Sequence, residues 1–516
     1  MSIQSEINRI SGNVADALTA IANKGVTVPQ GSNSDDLATL IGQIQQGGGG
    51  TGAISIVDTP DSAGGTVRTI TAVDISDTTA VASDVASGKY FYTADGTKTT
   101  GTASSGAAPQ KQINFIDFDG TILYSYTAQE ANALTALPAN PTHAGLTSQG
   151  WNWTLPEIKA QLTAMPDGPV WVGQMYITQS GDTEIDVSMP EGRLSPTMTI
   201  AVNGTVTVDW GDNTTADTVT GNSTGTPKYV SHTYSAPGDY TIKIHVVSGK
   251  FEFTGSSTIL LLHKDSSSLT QSYVYANCVQ AIRLGNGITI IKQYALYYCT
   301  SMAYITIPSV VTSIGDHAFS QCCGLVSITI PSGVTGVLDG TFYTCRSLAS
   351  IAIPSSVTSI STYAFNYSSA LRSVTIPSSV TSVGVYAFYY CYNLKSITLP
   401  SGVTSIGNNV FYYCNSLAHV TIPSTATNIG TSTFQACQSL ASITIPSTVT
   451  SIGNNAFYSC YGVKEYHIKP TTPPTLGTTV FQNIVSDCVI YVPTAKLADY
   501  QAAENWSAYA SYMQGE

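Results

Sequence analysis

A 23-residue repeat in the second half of the chain constrains the fold more than any other feature. Prolines recur at this step at Pro308, Pro331, Pro354, Pro377, Pro400, Pro423 and Pro446. Phenylalanines keep the step at Phe319, Phe342, Phe365, Phe388, Phe411, Phe434 and Phe457; cysteines keep it at Cys299, Cys322, Cys345, Cys391, Cys414, Cys437 and Cys460, with Ser368 as the one substitute. A unit this short cannot enclose a core, so we expect stacked coils that bury continuous ladders of apolar side chains.

Each unit reads I-x-I-P-S-x-V-T-S-I-G-x-x-A-F-x-x-C-x-S-L-x-S, with two stretches of strand-like alternation. The proline after I-x-I lacks a backbone donor, so the first strand must end there. From Gly285 to Lys464 the pattern resembles the BspA-type leucine-rich repeat, with a last coil whose Phe481 is displaced by one residue. The resemblance implies a solenoid over residues 259–485 and a C-terminal cap over 486–516, where we expect Tyr500 and Trp506 to cover the last coil.

Composition excludes several classes of function. Only 10% of the residues are charged and the net charge is −12, so no basic stripe is present to neutralise nucleic-acid phosphates. Residues Met1 to Arg9 lack the pattern of a secretory signal, and no apolar run approaches the ~20 residues of a membrane span. All ten cysteines lie between Cys278 and Cys488, mostly at the repeat step, which predicts buried thiols and not a disulfide framework.

The first 46 residues are predicted to be helical and to serve oligomerisation. Apolar residues alternate steps of four and three at Ile3, Ile7, Ile10, Val14, Ala17 and Ile21. Isoleucine at both seam positions of a coiled coil favours a homotrimer. The alternative is one amphipathic helix packed on its own chain. A second short helix over Asp36–Gln45 precedes a glycine-rich linker at residues 47–52.

Three modules are predicted between the linker and the solenoid. Residues 53–105 show strand alternation and an Asp95-Gly96 hairpin signal, and with the helical start they resemble N-terminal modules of bacteriophage tail proteins. Residues 111–175 form an α+β module, with strands near Ile113–Tyr126 and a helix at Leu155–Met165. In residues 176–250, the W-G-D turn at Trp210 and the later H-x-Y and P-G-x-Y segments resemble a PKD-type β-sandwich, usually a spacer.

Four motifs suggest chemistry, and each has a simpler structural interpretation. Phe115 to Ile122 reproduces the h-h-D-x-D-G-T motif of haloacid dehalogenase-type phosphohydrolases, with Asp182 and Asp186 as conceivable metal carboxylates; the preferred interpretation is a D-G turn between two strands. Carboxylates and an amide at Asp209, Asp212, Asn213 and Asp217 suit Ca²⁺ or a polar turn. Stacked cysteines suit a soft metal or buried packing.

The fourth motif is a pair of acids in the solenoid, Asp316 and Asp339, which occupy the same repeat position. Neighbouring coils should place them about 5 Å apart, near the separation in a retaining glycosidase, with His317 alongside. We consider them a surface pair because no further acidic or basic residue is present to shift their pKa values. They are kept as candidate binding residues.

Tyrosines flank the repeat phenylalanine on several coils. They stand at Tyr294, Tyr297, Tyr298, Tyr343, Tyr363, Tyr367, Tyr386, Tyr389, Tyr390, Tyr412, Tyr413 and Tyr458. Repeated at about 5 Å per coil, some should form an aromatic ladder suited to a glycan or a protein partner, while others line the core.

We therefore expect a multi-domain, mainly β protein with an N-terminal coiled coil and a C-terminal solenoid, without enzymatic activity, cofactor or metal. The favoured function is a bacteriophage tail fibre that attaches to other tail or baseplate proteins through its N-terminus and binds a bacterial surface glycan or protein through the solenoid. The alternatives are a bacterial cell-surface BspA-like adhesin and a polysaccharide-degrading tail spike. The expected location is the virion or, for the adhesin, the bacterial surface.

Overall fold

The computed structural model describes residues 113–165, 169–254, 261–263 and 275–516, together with the backbone of four strands before residue 101. The chain separates into two compact units, Met1–Gln110 and Lys111–Glu516. The predicted N-terminal helices, their Ile3 to Ile21 seam and the glycine linker lie outside the described residues.

The first unit contains two antiparallel strand pairs. Strand β1 (Gly52–Pro60) pairs with β2 (Thr66–Asp74), and β3 (Tyr90–Tyr92) pairs with β4 (Lys98–Thr100). The second pair brings Tyr92 opposite Lys98, on either side of the Asp95-Gly96 sequence. This arrangement agrees with the hairpin that the sequence predicts there.

The second unit begins with a small α/β layer. Strands β5 (Ile113–Ile116), β6 (Ile122–Tyr126), β7 (Leu146–Trp151) and β8 (Val170–Thr178) form one sheet in the order β6-β5-β8-β7. Helices α1 (Ala128–Ala133) and α2 (Leu155–Ala164) each begin with a capping box, in which a threonine and the glutamate three residues later satisfy each other's backbone donors. The helices and the sheet enclose a core around Phe115, Trp153 and Ile158. We refer to residues 113–178 as the α/β layer.

A long antiparallel sheet follows and joins the solenoid directly. Strands β9 (Thr183–Met189), β10 (Thr197–Asp209), β11 (Asp217–Ser231), β12 (Gly238–Phe253) and β13 (Leu262–His263) share one sheet. At its edge, β9 pairs antiparallel with Val279–Arg283, the first strand of the solenoid. The two-sheet sandwich predicted for residues 176–250 is not confirmed, because these strands continue into the repeat region as a single sheet.

Most coils of the solenoid contribute two short strands, and equivalent strands of neighbouring coils pair in parallel. The first strand ladder comprises Val279–Arg283, Tyr304–Thr306, Ser327–Thr329, Ser350–Ala352, Ser396–Thr398, His419–Thr421, Ser442–Ile445, Glu465–Ile468 and Val489–Val492. The second comprises Ile290–Ile291, Ser313–Ile314, Gly336–Val337, Ser359–Ile360, Ser382–Val383, Ser405–Ile406, Asn428–Ile429, Ser451–Ile452 and Thr475–Leu476. The register between paired strands is 23 residues for most coils, as in Ser327 with Ser350, so each sequence repeat is one turn of the solenoid.

A phenylalanine stack fills the centre of the solenoid. Neighbouring rings from Phe319 to Phe481 lie 5.2–5.8 Å apart and within 12° of parallel. The extra residue before Phe481 does not interrupt the stack, because its ring still lies 5.8 Å from that of Phe457. Stacking neighbours therefore bury a core that one coil could not form alone.

Both ends of the solenoid are covered. The sheet containing β9 lies on the first coil, and residues 493–516 cover the last. This C-terminal segment contains a 3₁₀ turn (Thr494–Lys496), helix α3 (Leu497–Ala502), a second 3₁₀ helix (Ser507–Tyr512) and a strand (Met513–Gly515) that pairs with Val489–Val492. The Tyr500 hydroxyl donates to the Pro470 carbonyl and the Trp506 indole to the Pro474 carbonyl, each at 2.8 Å. Without such cover the terminal strands would expose unpaired backbone and apolar edges.

The α/β layer packs along the first strand ladder. The Asn152 amide donates to the carbonyls of Ile330 and Ala352, at 2.9 and 3.1 Å, and the Trp153 indole donates to the carbonyl of Ile353 at 2.8 Å. Further along, the backbone amide of Trp171 donates to the Thr375 hydroxyl at 2.8 Å. The layer therefore covers one side of the first four complete coils. Within the described part of the chain, no helix has the length and apolar character to cross a membrane.

Candidate binding surface on the solenoid

The turn around each repeat phenylalanine has the same unusual backbone in every coil. Two residues, one two positions before and one two positions after the phenylalanine, have a positive φ of 52–67° wherever they are not glycine. The earlier position holds Tyr294, His317, Gly340, Tyr363, Tyr386, Asn409, Ser432, Asn455 and Thr479, and the later one Tyr298, Gln321, Thr344, Tyr367, Tyr390, Tyr413, Ala436, Ser459 and Asn483. The left-handed region costs a non-glycine residue about 1–2 kcal/mol, so the fold imposes this geometry whatever residue is present.

Nine tyrosines at these turns form one continuous network of ring contacts, which we call the tyrosine cluster. Its members are Tyr343, Tyr363, Tyr367, Tyr386, Tyr389, Tyr390, Tyr392, Tyr412 and Tyr413. They belong to four consecutive coils, those of Phe342, Phe365, Phe388 and Phe411. None is buried in the core: eight are half-buried, and Tyr363 is exposed.

Equivalent rings within the cluster stack from coil to coil. The ring of Tyr390 lies between those of Tyr367 and Tyr413, with centroid separations of 4.7 and 5.1 Å. Tyr389 and Tyr412 stack at 4.8 Å, and rings one position apart meet edge to face, as Tyr389 does with Tyr390 at 4.4 Å. Aromatic pairs of both geometries contribute about 0.5–1.5 kcal/mol beyond area burial, which partly offsets the backbone cost.

Burial keeps several hydroxyls of the cluster protonated and uncharged. Burial raises the pKa of Tyr389, and the charge and hydrogen bond of Tyr390 raise it further. Burial also raises the pKa of Tyr367, Tyr392 and Tyr412. These hydroxyls remain protonated, so the cluster offers flat ring faces together with hydrogen-bond donors and acceptors.

The remaining predicted tyrosines lie apart from the cluster. Tyr294 stacks on His317 at 5.0 Å, and its edge contacts Tyr297, which in turn contacts Tyr298. Tyr458 is half-buried and has no ring contact among the described residues. The sequence therefore predicts an aromatic surface but not its separation into two groups of tyrosines. The groups are separate because the coil between them has Ser320 and Gln321 at the positions that follow the repeat phenylalanine.

Tyr392 belongs to the cluster but is absent from the sequence prediction. It stands four residues after Phe388, outside the flanking positions considered, and its ring lies 5.2 Å from that of Tyr390. The sequence does contain a signal, because other coils have a polar residue, such as Arg346 or Gln438, at the repeat position of Tyr392.

The acid pair joins neighbouring coils. One oxygen of Asp316 accepts the amide of Asp339 at 3.2 Å, and one oxygen of Asp339 accepts the amide of Thr362 at 3.1 Å. Asn408 makes the equivalent bond to the amide of Thr431 at 2.8 Å. Because a neutral amide performs the same role, the geometry requires an acceptor and not a charged carboxylate. Beside the pair, burial lowers the pKa of His317, while Asp316 and Asp339 oppose that shift.

The phosphohydrolase-like motif forms a turn, as the structural interpretation predicts. β5 and β6 pair antiparallel around residues 117–121, and the amide of Asp117 donates to the Thr121 carbonyl at 2.9 Å. The Asp117 carboxylate contacts the Tyr176 hydroxyl at 2.8 Å and His143 at 2.7 Å. The two possible metal carboxylates are engaged elsewhere: Asp182 contacts His245 at 2.7 Å, and Asp186 accepts from Arg283 at 2.6 and 2.8 Å.

The possible calcium ligands serve local bonds within the W-G-D turn. Asp209 accepts the amide of Gly211, Asp212 accepts from Thr214 and contacts His232, and Asp217 accepts from the Trp210 indole. The Trp210 and His232 rings stack at 5.0 Å. Among the residues that the structure describes, no group of three or more His, Cys, Asp and Glu side chains could hold a metal ion.

The cysteine ladder is buried inside the coils. The Cys345 thiol donates to the Phe319 carbonyl at 3.1 Å, and the Cys391 thiol donates to the Phe365 carbonyl at 3.2 Å. Burial raises the pKa of Cys299 and of Cys460 to about 12, so these thiols are protonated and unreactive at neutral pH. None of the ten cysteines, all of them among the described residues, forms a disulfide, and only Cys323 is partly exposed.

Comparisons with known proteins identify the repeat. Residues 249–372 and 358–488 match the BspA type leucine rich repeat region, in six copies. No curated protein matches the chain. A solved leucine rich repeat protein from T. pallidum is 23% identical over 46% of this chain and 91% of its own, with a TM-score of 0.32. A leucine rich cell surface protein from Faecalibacterium prausnitzii is 24% identical over 44% of this chain and 76% of its own, with a TM-score of 0.23.

Proteins of the matched repeat family are typically non-enzymatic adhesion and binding proteins, which agrees with the prediction for the solenoid. The family match also confirms the repeat type that the proline and phenylalanine spacing indicates. The C-terminal part of the chain is a BspA-type leucine-rich repeat region.

Proposed function

We propose that the protein is a bacterial cell-surface adhesin of the BspA-like type, which holds its target through the tyrosine cluster. The proposal is supported by the match to a repeat family of adhesion proteins. A cell-surface location is named for the F. prausnitzii protein, and we propose the same location here. This assignment replaces the tail fibre as the leading function.

The single observation that carries the proposal is the continuous network of nine partly exposed tyrosine rings on one edge of the solenoid. Tyrosine provides a large contact area at a low cost in side-chain entropy, together with a hydroxyl group. The turn positions need no aromatic residue for folding, since Asn, Ser, Ala and Thr occupy them in other coils. A run of tyrosines at positions that tolerate small polar residues indicates a role in binding.

The test is to replace Tyr367, Tyr390 and Tyr413 together by asparagine in the full-length chain. Asparagine adopts the left-handed region readily, so the substitutions should preserve the turns. Beads coated with wild-type or variant protein are counted after adhesion to epithelial cells and to intact bacteria. We expect adhesion to fall at least about tenfold, because three aromatic contacts of about 0.5–1.5 kcal/mol each are lost.

The matched control is Tyr458→Asn, which removes a tyrosine from the same solenoid edge but outside the cluster. This control should adhere like the wild type. Equal adhesion of the triple variant and the wild type to every surface, with unchanged circular dichroism, would exclude the cluster as the binding site.

We propose a trimeric bacteriophage tail fibre as the second candidate. It is favoured by the isoleucine seam from Ile3 to Ile21 and by the resemblance of the first hundred or so residues to phage tail modules. In this case the N-terminus would attach to tail or baseplate proteins, and the solenoid would bind a bacterial surface. Light scattering of the full-length chain distinguishes the candidates: a trimer that becomes a monomer on Ile7→Asp substitution supports the fibre, and a wild-type monomer excludes it.

A further inference from the structure

We propose that the tyrosine cluster binds an acidic polysaccharide whose sugar rings carry carboxylates. This inference rests on the proposed adhesive function and deepens it by naming the chemical class of the target. It depends on three basic residues, Arg346, Arg372 and Lys395, which we call the basic rim.

The local charge around the cluster is opposite to that of the whole chain. Residues 340–463 contain the basic rim and no aspartate or glutamate, whereas the chain carries a net charge of −12. On the four coils that carry the cluster, residues 327–418, these three cations outnumber the single acidic residue, Asp339, so the local potential attracts anions.

The rim residues also differ from the other basic residues of the repeat region in having no acidic partner. Between residues 275 and 516, every other lysine or arginine forms an ion pair: Arg283, Lys292, Lys464, Lys469 and Lys496. All three rim side chains are exposed, and none lies within ion-pair distance of a carboxylate in the part of the chain that the structure describes. Their charges are thus available to a ligand.

The rim residues stand on three consecutive coils that also carry tyrosines of the cluster. Arg346 lies close enough to Tyr367 to oppose the rise that burial causes in the pKa of that hydroxyl. The amide of Lys395 donates to the carbonyl of Arg372 at 3.0 Å, so these two residues occupy neighbouring rungs of one ladder. Tyr392 occupies the same repeat position as Arg346 and stands three residues before Lys395.

The combination of nine rings and three cations selects one kind of polymer. Sugar rings stack their apolar faces on aromatic side chains, and arginine pairs with carboxylates in two parallel hydrogen bonds. A polymer of phosphate groups without rings would leave the tyrosines unused, and a neutral glycan would leave the cations unpaired. A polyuronate supplies a ring and a carboxylate in each unit, so it matches both features of the surface.

The test measures binding of the immobilised full-length chain to polygalacturonate, to neutral dextran and to inorganic polyphosphate. We expect polygalacturonate to bind, its affinity to fall as salt rises, and dextran and polyphosphate to bind at least tenfold more weakly. Replacing the rim by alanine (Arg346→Ala, Arg372→Ala and Lys395→Ala) should reduce polygalacturonate binding about tenfold or more. The charge-conserving variant with Arg346→Lys, Arg372→Lys and Lys395→Arg should keep most of it, and Lys496→Ala should leave it unchanged.

Equal binding of dextran and polygalacturonate, or an alanine rim that binds like the wild type, would overturn the acidic assignment. Polyphosphate binding as tight as polygalacturonate binding would overturn the carboxylate assignment in favour of a general polyanion site. If cell adhesion still depends on Tyr367, Tyr390 and Tyr413 when the polygalacturonate test fails, only the ligand class is wrong. If adhesion no longer depends on those tyrosines, the proposed function fails as well.

Discussion

Ser368 replaces the cysteine of its coil without changing the bond that the coil needs. Its hydroxyl donates to the Phe342 carbonyl at 2.9 Å, and Cys391 makes the same bond to Phe365 one coil later at 3.2 Å. The selected property at this position is therefore a small, buried hydrogen-bond donor. The left-handed turn positions are different, because there the backbone is fixed and the side chain is free to vary.

Two alanines in neighbouring coils separate the backbone effect from the packing effect. Ala436 is left-handed, with φ of 61°, and Ala456 is not, although both are buried. Ala456→Gly should lower the free energy of unfolding by roughly 1–2 kcal/mol, from about 0.8 for the lost methyl and 0.5–1 for chain entropy. Ala436→Gly should change it little, because release from the left-handed region returns about 1–2 kcal/mol.

Midpoints of guanidinium unfolding for the two variants test this contrast. The informative quantity is the difference between them, since both substitutions remove one methyl group and add one glycine. Equal losses in both variants would show that the coil does not constrain residue 436 as the φ angle implies.

At the scale of elements, the α/β layer and the first strand ladder form one packed pair. Gly173 lies in β8 directly against this ladder, and its amide donates to the Asn152 side chain at 2.8 Å. A Cβ added at Gly173 would lie 2.1 Å from the Thr329 hydroxyl and 2.8 Å from the Ala352 methyl. The absence of a side chain at this position permits the close approach of the two elements.

Gly173→Ala should therefore loosen the layer from the solenoid, with a cost of roughly 1–3 kcal/mol for overpacking. We expect faster proteolysis of the α/β layer and a change in the fluorescence of Trp153 and Trp171, whose indoles donate to Ile353 and Ser373. Thr329→Ala added to Gly173→Ala removes two of the three nearest atoms and should recover part of the loss. A single Gly173→Ala variant as resistant to protease as the wild type would contradict the close approach.

At the scale of the whole molecule, sequence reasoning succeeds where a pattern repeats and fails where contacts are distant. The phenylalanine stack follows from spacing, because neighbouring coils repeat one local geometry. The contact of Trp153 with Ile353 spans 200 residues and has no periodic signal. The basic rim could not be predicted from the sequence either, since its importance depends on which other cations have acidic partners in three dimensions.

Buried cysteine thiols along the solenoid predict how its stability changes at alkaline pH. Burial raises the pKa of Cys299 and Cys460 to about 12 and of Cys488 to about 11, against about 8.5 for a cysteine in an unfolded chain. The folded state therefore favours the protonated thiols. Their stabilising contribution is complete below about pH 8.5 and declines as the pH rises towards the folded-state values.

We expect these thiols to leave the free energy of unfolding, measured with guanidinium, unchanged between pH 6 and 8. From pH 9 to 11 this free energy should fall by roughly 1.4 kcal/mol per pH unit for each thiol involved. The double variant Cys299→Ser and Cys460→Ser should show a shallower fall, because a serine hydroxyl does not titrate in this range and Ser368 already accepts the same environment. An identical slope in the variant and the wild type would assign the alkaline loss to other groups, such as the fully buried hydroxyl of Tyr466, whose pKa burial also raises. The variant thus tests whether Cys299 and Cys460 contribute to the pH sensitivity.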